Sequence, residues 1–174
     1  MKNLIVFLFG ILAWMGTPSA QAMEVSLRAS GLQLPLEGYQ RGAASLQVGF
    51  GPPEDGIWFA EAGITPPFKI ADFTQTILFT SLGHEWSFAK GNFLRPFAGA
   101  GIGAYADQVR DSASDETSTG WMPALVTRAG VRMGSKFGFQ LLFECQAGIY
   151  DVDQLTSWVI WPMTRITGGL HVAF

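Results

Sequence analysis

The sequence predicts an all-β fold: an eight-stranded antiparallel up-and-down transmembrane β-barrel, preceded by a cleavable signal peptide. Three observations predict it. Apolar and polar residues alternate with period two in eight segments. The 174-residue chain is 48% apolar and 14% charged, yet no run of about 18 apolar residues, the length of a membrane helix, follows residue 22. Within the alternating segments the charges keep to one face, and the other face is apolar.

The first 22 residues stand apart from the barrel. Lys2 gives a positive start, Leu4 to Met15 form an apolar stretch, and Ala20-Gln21-Ala22 offers a small-x-small cleavage site. This is the layout of a secretory signal peptide, so residues 1–22 are assigned to it and residues 23–174 to the barrel domain. No cysteine lies near the cleavage site, which argues against a lipoprotein.

The strands follow in order. Val25, Leu27 and Ala29 oppose Glu24, Ser26, Arg28 and Ser30. Leu46, Val48 and Phe50 oppose Ser45, Gln47 and Gly49, and Trp58, Ala60, Ala62 and Ile64 oppose Phe59, Glu61 and Gly63. Leu78, Leu82, Trp86 and Phe88 face away from Ser81, Gly83, Glu85 and Ser87. Leu94, Pro96, Ala98, Ala100, Ile102 and Ala104 alternate with Arg95, Phe97, Gly99, Gly101, Gly103 and Tyr105. Leu125 to Met133 alternate with Val126, Arg128, Gly130 and Arg132. Phe139, Leu141, Phe143 and Cys145 alternate with Gln140, Leu142, Glu144 and Gln146. Ile166, Gly168, Leu170, Val172 and Phe174 alternate with Arg165, Thr167, Gly169 and His171. Turn-rich residues 52–56, 89–92 and 134–136 make short connections. Longer loops are expected at 35–42, 65–73, 108–120 and 151–157. Short turns at one end and longer loops at the other is the layout of a bacterial transmembrane barrel.

The charge distribution decides which face meets the lumen. Arg28, Glu61, Glu85, Arg95, Arg128, Arg132, Glu144 and Arg165 all share the face opposite the apolar one, and His171 joins them. A continuous apolar belt cannot be left in water, so the charged face turns inward and its members form a mutually neutralising plug. Trp58, Trp86, Phe88, Trp121, Phe139 and Phe174 stand near strand ends on the apolar face, where rings suit the lipid–water interface.

Several functions are excluded. With 11 Lys+Arg against 14 Asp+Glu there is no basic face for nucleic acid. Cys145 is the single cysteine, so no intrachain disulfide exists. Two histidines and one cysteine supply no metal-ligand cluster and no cofactor is implied; Asp111, Asp115 and Glu116 read as a solvated loop tip. Gly99, Gly101 and Gly103 are followed by no helix and so form no phosphate loop. They make room for bulky lumen neighbours, with space for a ligand or acyl chain as the sharper alternative.

Residues Ser81 to Asp107, SLGHEWSFAKGNFLRPFAGAGIGAYAD, resemble the central hairpin of small outer-membrane barrels of the outer membrane protein A and X type. The matching residues are Trp86, Phe88, Leu94-Arg95-Pro96-Phe97 and Gly99, Gly101, Gly103. A second piece runs from Arg128-Ala129-Gly130-Val131-Arg132 through Lys136-Phe137-Gly138 to Glu144. The resemblance implies residence in the outer membrane as a monomer, with outer-membrane lipid and the barrel-assembly machinery as partners. It marks Leu170, Val172 and Phe174 as the C-terminal assembly signal. It implies a non-enzymatic structural, envelope-integrity or surface-binding role.

Two alternatives stay open. Some barrels of this size are lipid A-modifying enzymes, deacylases or acyltransferases, and the deacylases carry a His-x-Ser pair on a late strand. Here that strand reads Glu144-Cys145-Gln146-Ala147-Gly148-Ile149, and the alternation sends His84 and Ser87 to opposite faces. His171 reads as a lumen hydrogen-bonding group, with Glu144 or Glu85 as its expected partner. The other alternative is a soluble, lipocalin-like periplasmic binder.

Overall fold

Alternation that is apolar on one side and polar on the other builds long antiparallel strands, and in the computed structural model these close on themselves. The structure describes residues 23–34, 39–52, 55–89, 93–150 and 159–174. The expected signal peptide, residues 1–22, and the expected loop 151–157 lie outside them.

Nine strands occur among the described residues: β1 (Met23–Leu34), β2 (Tyr39–Phe50), β3 (Gly56–Ile64), β4 (Phe68–Ile70), β5 (Phe73–Ser87), β6 (Leu94–Asp111), β7 (Thr117–Gly134), β8 (Phe137–Tyr150) and β9 (Val159–Ala173). Eight of them form the wall. Every wall neighbour pairs antiparallel, β3 joins β5 directly, and β1 joins β9 to close the barrel. Closure gives each of the eight wall strands a partner on both sides, which is what a sheet needs if its backbone is to be satisfied away from water.

The register sets the interior. Glu144 on β8 stands opposite Arg128 on β7 and opposite Arg165 on β9. Gln47 on β2 stands opposite Glu61 on β3. Opposite charges on adjacent staves are therefore brought together by pairing alone.

One end of the barrel carries the short connections. Ser135 and Lys136 join β7 to β8, and Gly134 holds φ at +92°, where a side chain would be strained. The first and last described residues meet here as well: Phe174 N–H donates to Met23 O at 2.8 Å, and Ala173 N–H donates to Lys136 O at 2.7 Å.

At the other end the expected loops shrink. The segment 108–120 is not a loop: β6 and β7 run on through it, with Gln108 opposite Thr119, and only residues 112–116 turn. Both faces of this protruding hairpin are polar, so period-two hydrophobicity gives no signal there. The segment 65–73 contains β4, which pairs with β5. The segment 35–42 is shortened by β2, which begins at Tyr39.

The inward glycines make room for large neighbours. A Cβ at Gly99 would lie 2.8 Å from His84 O, 2.9 Å from Glu85 Cγ and 3.2 Å from Arg128 Cγ. A Cβ at Gly169 would lie 2.9 Å from Arg28 Cγ. Gly99→Ala is expected to cost about 1–3 kcal/mol by overpacking. Equilibrium unfolding in urea would measure it, and an unchanged midpoint would mean that the β5 backbone at His84 and the Glu85 and Arg128 side chains give way freely.

Candidate functional site

The two faces of the wall have opposite chemistry. Leu27, Ile102, Leu125, Phe143 and Ile166 are exposed on the outside, and Arg28, Glu61, Arg128 and Arg165 are buried inside. This is the inverse of a water-soluble barrel and the arrangement that a lipid surround favours. An interior of eight strands is just wide enough for side chains to fill.

Four guanidinium groups and four carboxylates meet in the half of the lumen nearer the short turns. Arg128 is the hub. Its Nη1 donates to Glu85 Oε1 and to Gln47 Oε1, both at 2.8 Å. Its Nη2 lies 3.3 Å from Glu61 Oε2 and 3.0 Å from Glu144 Oε2. Arg28 donates to Glu61 Oε2 and to Gln140 Oε1, each at 3.0 Å. Arg165 Nη2 lies 2.8 Å from Glu61 and 2.9 Å from Glu144. Arg132 donates to Glu24 at 3.2 Å through Nε and to Glu85 through Nη2. Glu61 thus serves three arginines, and no charge of the eight stands alone.

Phenyl rings cap the cations. Arg128 Cζ lies 3.5 Å from the Phe59 centroid, Arg132 Cζ 4.3 Å from Phe97, and Arg165 Cζ 4.6 Å from Phe79. A ring face attracts a desolvated cation, and the flat guanidinium stacks on it while its edge donates to carboxylates.

Two expected members sit differently. Arg95 reaches none of the described glutamates; its Nη2 donates to Gly134 O at 3.0 Å and ties the short turn to the lumen. His171 is fully buried but hydrogen-bonds neither Glu144 nor Glu85. It stands across from Ser26 and Gly138, because the stagger of the strands carries those two glutamates to Arg128, Arg132 and Arg165 instead. Glu24 and Arg41 are buried in the interior and were absent from the charge set read from the sequence. Glu24 is in phase with Arg28 and was readable. Arg41 fell in an expected loop.

A second, apolar layer packs inside the lumen on the side of the charges away from the short turns. Leu32, Ala43, Ile77, Phe79, Tyr105, Ala124 and Met163 form a buried apolar cluster, with Met122 packed against it. They come from β1, β2, β5, β6, β7 and β9. The remaining two staves contribute glycines: Gly63 on β3 lies against the Phe79 ring, and Gly148 on β8 lies against the Met122 thioether. Phe79 and Tyr105 rings stand 6.1 Å apart. Beyond this septum the interior turns polar again. Gln75 donates to Asp107 at 2.7 Å, and the Arg41 guanidinium lies 4.7 Å from the Phe68 centroid.

The β6–β7 hairpin tip is solvated. Asp111 accepts from Ala113 N–H at 2.8 Å and from Ser114 Oγ at 3.0 Å. These bonds, the backbone one first, hold its carboxyl below the ordinary value of 3.8. A depressed carboxyl stabilises the turn at pH above the ordinary value and loses that contribution as pH falls through its own lower pKa. In a ¹³C titration the Asp111 carboxyl is expected to titrate below free aspartate, and Ser114→Ala to raise it. Equal titration in both chains would remove Ser114 from the turn.

Cys145 faces outward, half-buried, as a small apolar residue of the wall. His84 also faces outward, between Trp58 and Trp86. Leu170, Val172 and Phe174 lie exposed on the outer face at the end of the chain. Among the described residues no three His, Cys, Asp or Glu side chains are placed to hold a metal ion.

No family model matches the chain, and no curated relative matches it in sequence. Solved structures do match. Neisserial surface protein A superposes with a TM-score of 0.68 at 11% identity, covering 90% of this chain and 98% of that one. The N-terminal β-barrel domain of Pseudomonas aeruginosa OprF gives 0.60 at 17% identity, covering 87% and 97%. The outer membrane enzyme PagL gives 0.52 at 14% identity, covering 86% and 98%. Together with the closed ladder, the apolar exterior and the charged interior, these matches establish that the chain has the fold of the small eight-stranded outer-membrane β-barrels.

Proposed function

We propose that this protein is a monomeric, non-enzymatic barrel of the outer membrane, closed to diffusion, whose role is structural and serves envelope integrity. The observation that carries the reading is the filled lumen: paired charges below, an apolar septum above, and an apolar wall outside. Such an interior holds the barrel rigid and passes no solute. Outer-membrane lipid is the partner of the wall. The barrel-assembly machinery reads Leu170, Val172 and Phe174 at the end of β9. The short turns face the periplasm and the β6–β7 hairpin faces outward.

The non-enzymatic reading is supported by where the imidazoles lie. His171 is sealed in the lumen and His84 sits among indoles on the outer wall, both toward the short turns. Neither stands at the outer rim, where chemistry on lipid A takes place.

Fractionation and an unboiled SDS gel test the proposal together. The protein is expected in the outer-membrane fraction, with a folded band that migrates faster than the boiled one. Recovery as a detergent-free periplasmic monomer would overturn it. A deletion strain is expected to keep its lipid A mass spectrum, and a changed acylation pattern would convert the protein to an enzyme.

A further inference from the structure

Among the described residues the outer wall carries one imidazole, His84, and it does not stand in plain hydrocarbon. It lies on β5 opposite Trp58 of β3, two positions from Trp86. Its ring centroid is 4.9 Å from each indole, at interplanar angles of 70° and 59°. Trp58 and Trp86 are 59% and 49% exposed, so the three rings form an outer surface. The ring packs onto the backbone of Gly56, where a Cβ would lie 2.9 Å from His84 Cε1 and closer still to Glu85 O. On the β6 side the paired residues are Ala98 and Ala100, too short to cover the rings.

An ionisable side chain on a lipid-facing wall needs a partner. His84 Nδ1 is buried and has none within the protein, which leaves Nε2 as the nitrogen that can meet an outside group. The height of the cluster says what that group is. Gly56 opposite Trp86 is the last pair of the β3–β5 ladder at the short-turn end, and His84 lies two residues inside it. This is the level where apolar belts give way to headgroups and where indoles collect. The neighbouring outward strand residues, Phe50, Leu82, Phe88, Ala98 and Ala100, are all apolar, and the nearest described acid outside the lumen is Asp55 in the turn beyond Gly56. Imidazole and indole N–H groups are donors, and a phosphodiester is an acceptor that also carries charge.

We propose that Trp58, His84 and Trp86 form a binding site for the phosphodiester headgroup of a membrane phospholipid in the leaflet at the short-turn end, with His84 Nε2 donating to the phosphate. The proposal rests on the membrane reading above, and its test separates the two.

The full chain, refolded in a neutral maltoside detergent, would be offered dioleoylphosphatidylethanolamine or dioleoylglycerol, which share acyl chains and differ in the phosphate. Retained lipid would be read by native mass spectrometry, beside an unboiled gel of each sample. The wild type is expected to retain the phospholipid at least about tenfold better than His84→Phe, since a hydrogen bond to a charged group is lost. The phenyl ring preserves the stack, so both proteins should show the fast folded band. Diacylglycerol should be retained weakly and equally by the two. Equal phospholipid retention by wild type and variant would overturn the site, as would diacylglycerol retained as well as the phospholipid. A crosslinked dimer that His84→Phe abolishes would assign the rings to a second copy instead. Absence of the fast band in the wild type would overturn the membrane reading, and the site with it.

Discussion

Replacing Arg128 by methionine is expected to destabilise the folded barrel by about 3–5 kcal/mol, the scale for removing one partner of a buried ion pair. Arg128 touches Glu61, Glu85 and Glu144 at once, all with fully buried side chains. Methionine fills most of the same space beside Gly99, so the loss is electrostatic and not a cavity. Glu61 keeps Arg28 and Arg165, Glu85 keeps Arg132, and Glu144 keeps Arg165. Three carboxylates then share three guanidiniums around an uncharged centre, and their mutual repulsion is less well compensated. The measurement is the urea midpoint of the barrel refolded in lipid vesicles, followed by the fast gel band. Adding Glu85→Gln to Arg128→Met removes one of the stranded charges and should recover part of the loss. An unchanged midpoint for Arg128→Met, or a double variant no better than the single, would show that the hub is dispensable.

The wall was legible in the sequence because an inward and an outward phase can be followed along each stave. Arg28, Glu61, Glu85, Arg128, Arg132, Glu144 and Arg165 could be put on the inner face by phase alone. Their partners could not. Whether Glu85 meets Arg132 or His171 depends on the stagger of strands around the barrel, which period two does not contain. The same limit explains Arg95, which is inward by phase yet bonds a turn carbonyl. The septum was hidden for another reason. Leu32, Phe79, Tyr105 and Met163 share the inward phase with the charges, and a reading that divides faces into apolar-out and polar-in absorbs them silently. A run of large apolar residues in the inward phase of several strands at one height is the signal that could have found it. The β6–β7 hairpin was read as a loop because once both faces are polar the alternation vanishes while the pairing persists.

Phe79→Ala is the variant that tests whether the septum, and not the ion network, closes the barrel. Phe79 is buried on all sides: its ring lies on Gly63, stands 6.1 Å from Tyr105, and takes the Arg165 guanidinium at 4.6 Å. Truncating such a ring costs about 3–5 kcal/mol through lost burial and the cavity left behind. Gly63 has no side chain to fill the gap, and strands fixed by a closed ladder cannot collapse inward, so the value should fall toward the upper end. The cavity would join the polar layer of Gln75 and Asp107 to the charged layer of Arg165 and Glu144. Water can enter a space that has polar partners at both ends, whereas a purely apolar void stays dry. Planar-bilayer recordings should therefore show a closed wild type and an ion leak in Phe79→Ala. Phe79→Leu keeps most of the apolar volume and is expected to remain closed. Glu144→Gln, which loosens the network beneath an intact septum, should destabilise the fold without opening it. If Glu144→Gln leaks and folded Phe79→Ala does not, the ion pairs are the barrier and the apolar layer is only packing.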